Sequence, residues 1–86
     1  MYDYPLNPDW SVDEIIDVMA LYNAVEKAYE EGISREAFMQ AYRRFTQIVN
    51  AKSEQKQIDR AFNRVSHYSI YQVFKEAQKK EAFIKL

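Results

Sequence analysis

The chain has 86 residues, 48% hydrophobic and 15% aromatic, with a net charge of −1 and no cysteine. That length supports one domain with a single small core, and the composition is too apolar for a disordered chain. Disulfide staples and thiol chemistry are excluded, and the apolar residues are spread too evenly for a membrane span of about 20 uninterrupted positions.

The N-terminal stretch Met1-Tyr2-Asp3-Tyr4-Pro5 is acidic and aromatic, unlike a basic-then-apolar secretion leader, so a cytoplasmic location is expected. Both prolines, Pro5 and Pro8, fall in this part, and no apolar periodicity accompanies them. Residues 1–10 are therefore read as an extended arm. Tyr2, Tyr4 and Trp10 are expected to dock on the bundle or on a partner.

Ser11 followed by Glu14 forms a capping box, and Trp10 can staple onto Ile15, which starts helix 1 at about residues 12–31. Ile15, Val18, Tyr22, Val25 and Tyr29 recur at three- and four-residue steps, as on a helix seam. Val12, Ile16 and Met19 widen the seam early, while Leu21 and Ala28 widen it later on the other side. The rotating arc predicts two different neighbours: the arm and helix 4 over the first half, helix 2 over the second.

Gly32, the only glycine, follows in Glu30-Glu31-Gly32-Ile33-Ser34. A glycine just past a helix end takes the left-handed conformation at little steric cost, so this is the corner of an antiparallel hairpin. Ser34 caps helix 2, about 35–49, with Ile33 and Phe38 as its staple. Phe38, Ala41, Tyr42, Phe45, Ile48 and Val49 share one face and mark it as a core helix. Ser53 is expected to cap helix 3, about 54–66, where Ile58, Ala61, Phe62 and Val65 form a narrower stripe suited to a lid. Tyr68-Ser69 is a break before helix 4, about 70–82. There Ile70, Phe74 and Ala77 face inward, Tyr71 and Val73 flank them, and Lys75, Lys79 and Lys80 sit near the C-terminus, where cations are favourable. Residues 83–86 are expected to fray. The fold class is all-α: a small antiparallel bundle of three main helices, a shorter fourth and an extended arm.

Several strings together resemble the YktA-like proteins of low-GC Gram-positive bacteria, uncharacterised protein family 0223. They are Tyr4-Pro5 with Asp9-Trp10-Ser11, Val25 through Gly32, Tyr42-Arg43-Arg44-Phe45 with Ile48-Val49, then Lys52, Glu54, Lys56, Ile58, Ser66, Tyr68-Ser69 and Tyr71. Members tend to have proline where this chain has Asn50 and glycine where it has His67, which bears on the turns before helices 3 and 4. The resemblance implies an all-helical cytoplasmic bacterial protein with no established activity, and it carries no catalytic residues.

The residues themselves give no catalytic constellation. His67 is the single imidazole, and the neighbouring Ser66 and Ser69 are not thereby placed within its reach. Ser11, Ser34, Ser53 and Ser69 all fall at predicted helix starts and are read as caps. Asp13 with Asp17, and Glu26 with Glu30, lie one turn apart, but no Glu-x-x-His accompanies them and they are read as a solvated acidic face. One glycine cannot build a phosphate loop. The chain is thus expected to be no enzyme, with no cofactor and no metal.

The strongest polar feature is Lys56, Arg60 and Arg64, spaced by four on helix 3, with Lys52 just ahead. Like charges at this spacing oppose an isolated helix by about 0.2–0.5 kcal/mol per pair, so a compensating anion is useful. Candidates are the acidic face of helix 1, an acidic protein partner or a nucleic-acid backbone. Residues 1–36 hold nine acidic and two basic side chains, net −7; residues 37–86 hold four and ten, net +6. Tyrosine and arginine suit protein interfaces. The expected function is accordingly protein–protein association, with another protein or a second copy, through Lys52, Lys56, Arg60, Arg64, Tyr68 and Tyr71. Accessory nucleic-acid binding through the same stripe is the alternative.

Overall fold

The computed structural model describes residues 4–86. Its elements in chain order are α1 (Val12–Glu30), β1 (Ile33–Ser34), α2 (Arg35–Ile48), α3 (Lys52–Ser66), α4 (Ile70–Ala77) and β2 (Phe83–Ile84). The architecture is a small helical bundle with one two-stranded antiparallel pair, Ile33 opposite Ile84 and Ser34 opposite Phe83. The expectation for Tyr2 falls outside the described residues.

α1 opens on the capping box read from the sequence. Ser11 Oγ accepts the Glu14 amide at 3.2 Å while Glu14 Oε1 accepts the Ser11 amide at 2.8 Å. Its buried face is Val18, Leu21, Tyr22, Ala24, Val25 and Ala28. The amides of Glu31 and Gly32 both reach back to the Lys27 carbonyl, at 2.9 and 2.6 Å, and Gly32 takes φ +97°. The chain reverses there, Ser34 Oγ caps α2 by accepting the Ala37 amide, and α2 returns antiparallel along α1. Phe38, Phe45 and Val49 are buried against α1, and Arg44 pairs with Asp17 at 2.7 Å.

The arm docks on the bundle. The Tyr4 ring meets Tyr22 and Phe62 at 5.4 and 5.3 Å, Tyr22 and Phe62 stack at 4.7 Å, and the Tyr4 hydroxyl donates to Glu26. The Tyr22 hydroxyl donates to the Pro5 carbonyl at 2.6 Å. Three rings from the arm, α1 and α3 thus close one end of the core, with α3 as the lid. Trp10 is half-buried against the same core.

Four expectations need correction. α3 begins at Lys52, not near residue 54: Ala51 is its N-cap, without a side-chain bond, and Ser53 lies inside the helix. The amide of Gln55 reaches Ala51 O, and its side chain donates to Val49 O at 2.7 Å, so the turn is held without a serine cap. α4 ends at Ala77 rather than about 82, and Val73 rather than Phe74 completes its inner stripe with Ile70 and Ala77; that stripe would continue onto Lys80 and Glu81, which have nothing to bury. Lys80 takes φ +61° as the chain turns back. The tail expected to fray is instead a strap: Ile84 is buried, Arg35 N donates to Ala82 O, Leu86 N to Ala28 O and Lys85 Nζ to Glu30 O. Two of those acceptors are last-turn carbonyls of α1, which have no partner within the helix. Finally, Val12 and Ile16 are exposed, so of the early shoulder of α1 Met19 alone packs against the core among the described residues, and α4's N-cap meets α1 late instead, where Tyr29 Oη accepts the Ser69 amide.

Gly32 has a second reason to lack a side chain, since a Cβ there would overlap the Phe83 ring and lie 3.3 Å from Ile84 O. Gly32→Val is expected to destabilise by roughly 1 kcal/mol or more from backbone strain alone, read as a lower urea midpoint; an unchanged midpoint would contradict the left-handed corner. Burial holds the Tyr22 phenol above its ordinary value, while the unfolded chain releases that proton near pH 10. Its contribution is therefore full below pH 10 and declines as pH rises further. Urea stability of the wild type should fall more steeply above pH 10 than that of Tyr22→Phe, and parallel pH profiles would count against the buried hydroxyl.

Candidate interaction groove

The short connections on either side of α3 leave it beside α2 and α4 with an open seam between them. That seam is a groove of about 690 Å³ lined by Tyr42 and Phe45 from α2, Ile70, Tyr71 and Phe74 from α4, and Lys52, Gln55, Lys56, Asp59 and Arg60 from α3. Its aromatic residues are in contact: Tyr42 stacks on Phe74 at 4.4 Å and meets Phe45 at 6.3 Å, with buried Phe38 behind Tyr42 at 5.8 Å. Burial, with Asp59 and Tyr71 nearby, raises the Tyr42 phenol above its ordinary value, so it presents a neutral hydroxyl at physiological pH.

The basic wall follows from helical spacing. Lys52, Lys56 and Arg60 recur every fourth residue and stand on one edge of α3. All three are exposed, and none belongs to either ion pair found among the described residues, Arg44–Asp17 and Lys79–Glu76. The acidic face of helix 1, one candidate for the compensating anion, instead meets α2 through Arg44. Tyr71, a residue 57% exposed, marks the opposite rim, and the Lys75 ammonium lies 5.7 Å from its ring centroid.

Of the six residues singled out in the sequence, the groove thus gathers Lys52, Lys56, Arg60 and Tyr71. Arg64 is exposed but does not line it. Tyr68 faces the other way, its ring stacked on Tyr29 at 4.4 Å and its hydroxyl donating to Glu30 at 2.9 Å. Sequence reasoning missed Tyr42 and Phe74 because their helical stripes read as core, and both are indeed partly buried against it. It also missed Asp59, an acid set within the basic stripe. Asp59 Oδ1 accepts the Ile70 amide at 2.7 Å, and Oδ2 accepts the Ser69 hydroxyl at 3.1 Å and the Tyr71 amide at 3.4 Å. Ser69 Oγ in turn accepts the Gln72 amide, so α4 has a double cap.

The other polar candidates are engaged structurally. Ser66 Oγ donates to Phe62 O and accepts from Tyr68 N, and exposed His67 is the left-handed C-cap of α3 at φ +68°. The left-handed backbone suits the glycine that the family resemblance places there. Among the described residues no three potential metal ligands gather, and no helix is long and apolar enough to cross a membrane.

Comparison with known proteins agrees with the resemblance noted above. A sequence model of an uncharacterised protein family, UPF0223, matches residues 1–85. A UPF0223 protein of Bacillus cytotoxicus is 48% identical over 93% of this chain and 90% of its own length. The UPF0223 protein YktA of Bacillus subtilis is 44% identical over 93% and 91%, and a UPF0223 protein of Streptococcus agalactiae is 43% identical over 99% and 92%.

Removing the Asp59 carboxylate should loosen α4 first. Asp59→Ala is expected to cost about 1–3 kcal/mol, because the Ile70 amide loses its acceptor in a part-buried position. Amide exchange should accelerate in residues 70–77 more than in α1; equal acceleration throughout, or none, would contradict the capping role.

Proposed function

This chain belongs to the uncharacterised protein family UPF0223, and from the groove we propose that it is a protein-interaction module acting by binding rather than catalysis. The ligand is an acidic segment of a protein partner carrying an apolar anchor, and the setting is the cytoplasm. The observation that carries this reading is that three cations without ion partners among the described residues, Lys52, Lys56 and Arg60, line the same cleft as the aromatic residues Tyr42, Phe45, Tyr71 and Phe74. Such a site attracts carboxylates along its wall and desolvates an apolar side chain at its base, the combination that concentrates binding energy in protein interfaces.

Nucleic acid is the second reading, and the rings argue against it. Binding of single strands relies on exposed aromatic faces on which successive bases stack. Among the aromatic residues lining the groove, Tyr42 and Phe74 stack on each other and Phe45 is buried, which leaves Tyr71 as the exposed one, with a lysine beside it. The acidic N-terminal part of the chain adds repulsion toward a phosphate backbone.

Fluorescence anisotropy at matched low and high ionic strengths separates the two. A labelled acidic amphipathic peptide is expected to bind the wild type and to lose about tenfold or more in affinity with Lys56→Glu/Arg60→Glu, whose exposed positions should leave helicity intact. A labelled single-stranded oligonucleotide that binds more tightly than the peptide, with steep salt dependence, would overturn the protein reading in favour of nucleic acid.

A further inference from the structure

The structure also contains a surface that matches the groove. Val12 is 73% and Ile16 58% exposed, one turn apart on α1, so they form a joint apolar strip that the other described residues leave uncovered. Asp9 and Asp13 beside it are exposed and belong to neither ion pair. An acidic flank with two aliphatic side chains at helical spacing is the chemistry the groove calls for. We propose that the acidic segment comes from a second copy of this chain: the first turns of α1 in one copy occupy the groove between α2, α3 and α4 in the other, reciprocally.

Charge supports this occupant. The chain separates −7 in residues 1–36 from +6 in residues 37–86, yet among the described residues Asp17–Arg44 is the single ion pair joining the two parts. Asp9 and Asp13 on one side and Lys52, Lys56 and Arg60 on the other belong to neither ion pair, and two copies can satisfy them mutually.

Asp17 pairs with Arg44, so the first turns of α1 lie beside the C-terminal part of α2, at the end of the bundle where α2 passes into α3 and Lys52 opens the groove. A reciprocal arrangement of two copies about a twofold axis would close this contact at a dimer. This inference rests on the groove being a protein site and adds the identity of its occupant.

Sedimentation velocity across a wide range of protein concentration is the test. The wild type should pass from monomer to dimer, and the dissociation constant should rise with salt. Asp9→Lys/Asp13→Lys and Lys56→Glu/Arg60→Glu should each remain monomeric alone. An equimolar mixture of the two should form a heterodimer, since each contact then again joins opposite charges. Val12→Ser/Ile16→Ser should weaken the wild-type dimer about tenfold or more. A wild type that stays monomeric, a dimer indifferent to these substitutions, or a mixture that fails to associate would overturn the proposal. If the wild type is monomeric while an acidic peptide still binds in a manner lost with Lys56→Glu/Arg60→Glu, self-docking fails and the groove reading stands. If the peptide does not bind either, both fail.

Discussion

The carboxylate of Asp59 accepts the Ile70 and Tyr71 amides and the Ser69 hydroxyl, and in doing so a side chain of α3 supplies the N-terminal cap of α4. The eight residues of α4 are too few to hold a helix in water by themselves. The helix exists because its first amides are satisfied from α3 and because Ile70, Val73 and Ala77 are buried. The same bonds fix the angle at which α4 leaves α3, and hence the opening between them. Without that tie neither Phe74 nor Tyr71 has a defined place opposite the basic wall. The groove is a consequence of how a short helix is anchored.

The other end of the molecule solves a related problem with backbone. A chain of this size has little core to spare and no covalent staple. The hairpin of α1 and α2 is closed at Gly32, and the returning tail lays Ile84 beside Ile33 while donating to carbonyls that α1 leaves open. Arg35 joins the corner to α4 by donating to Ala77 O at 2.7 Å. Tail, corner and α4 therefore hold one another, and the three-ring cluster of Tyr4, Tyr22 and Phe62 seals the opposite side.

Local rules made much of this legible before any coordinates. The Ser11 capping box, the left-handed Gly32, the Ser34 cap and the burial of Phe38 and Phe45 depend on neighbours a few residues apart, which periodicity and capping chemistry can read. What escaped depends on contacts across the chain. Two residues paired with two others make β2, and nothing in Phe83-Ile84 alone reveals that Ile33-Ser34 waits for it. Helix 4 was extended over charged residues because propensity permits them, whereas the fold stops where burial stops. Of the candidate site, Lys52, Lys56, Arg60 and Tyr71 are legible in the sequence; Arg64 continues the same four-residue spacing but lies beyond the groove, and Tyr68, close to it in sequence, turns toward Tyr29 and Glu30. Asp59 escaped because its partners lie ten to twelve residues away across a turn.

Charge spacing on α3 and apolar periodicity on α2 and α4 are separate features of the sequence, and the fold brings them to one cleft. The central claim is that this cleft, rather than the charge alone, receives the partner. Amide chemical-shift mapping with an added acidic amphipathic peptide tests that most directly. The account predicts shifts concentrated at residues 52–60 and 70–74, on both sides of the groove at once. Shifts confined to exposed lysines and arginines throughout the molecule, with residues 70–74 unmoved, would show diffuse electrostatic attraction and contradict it.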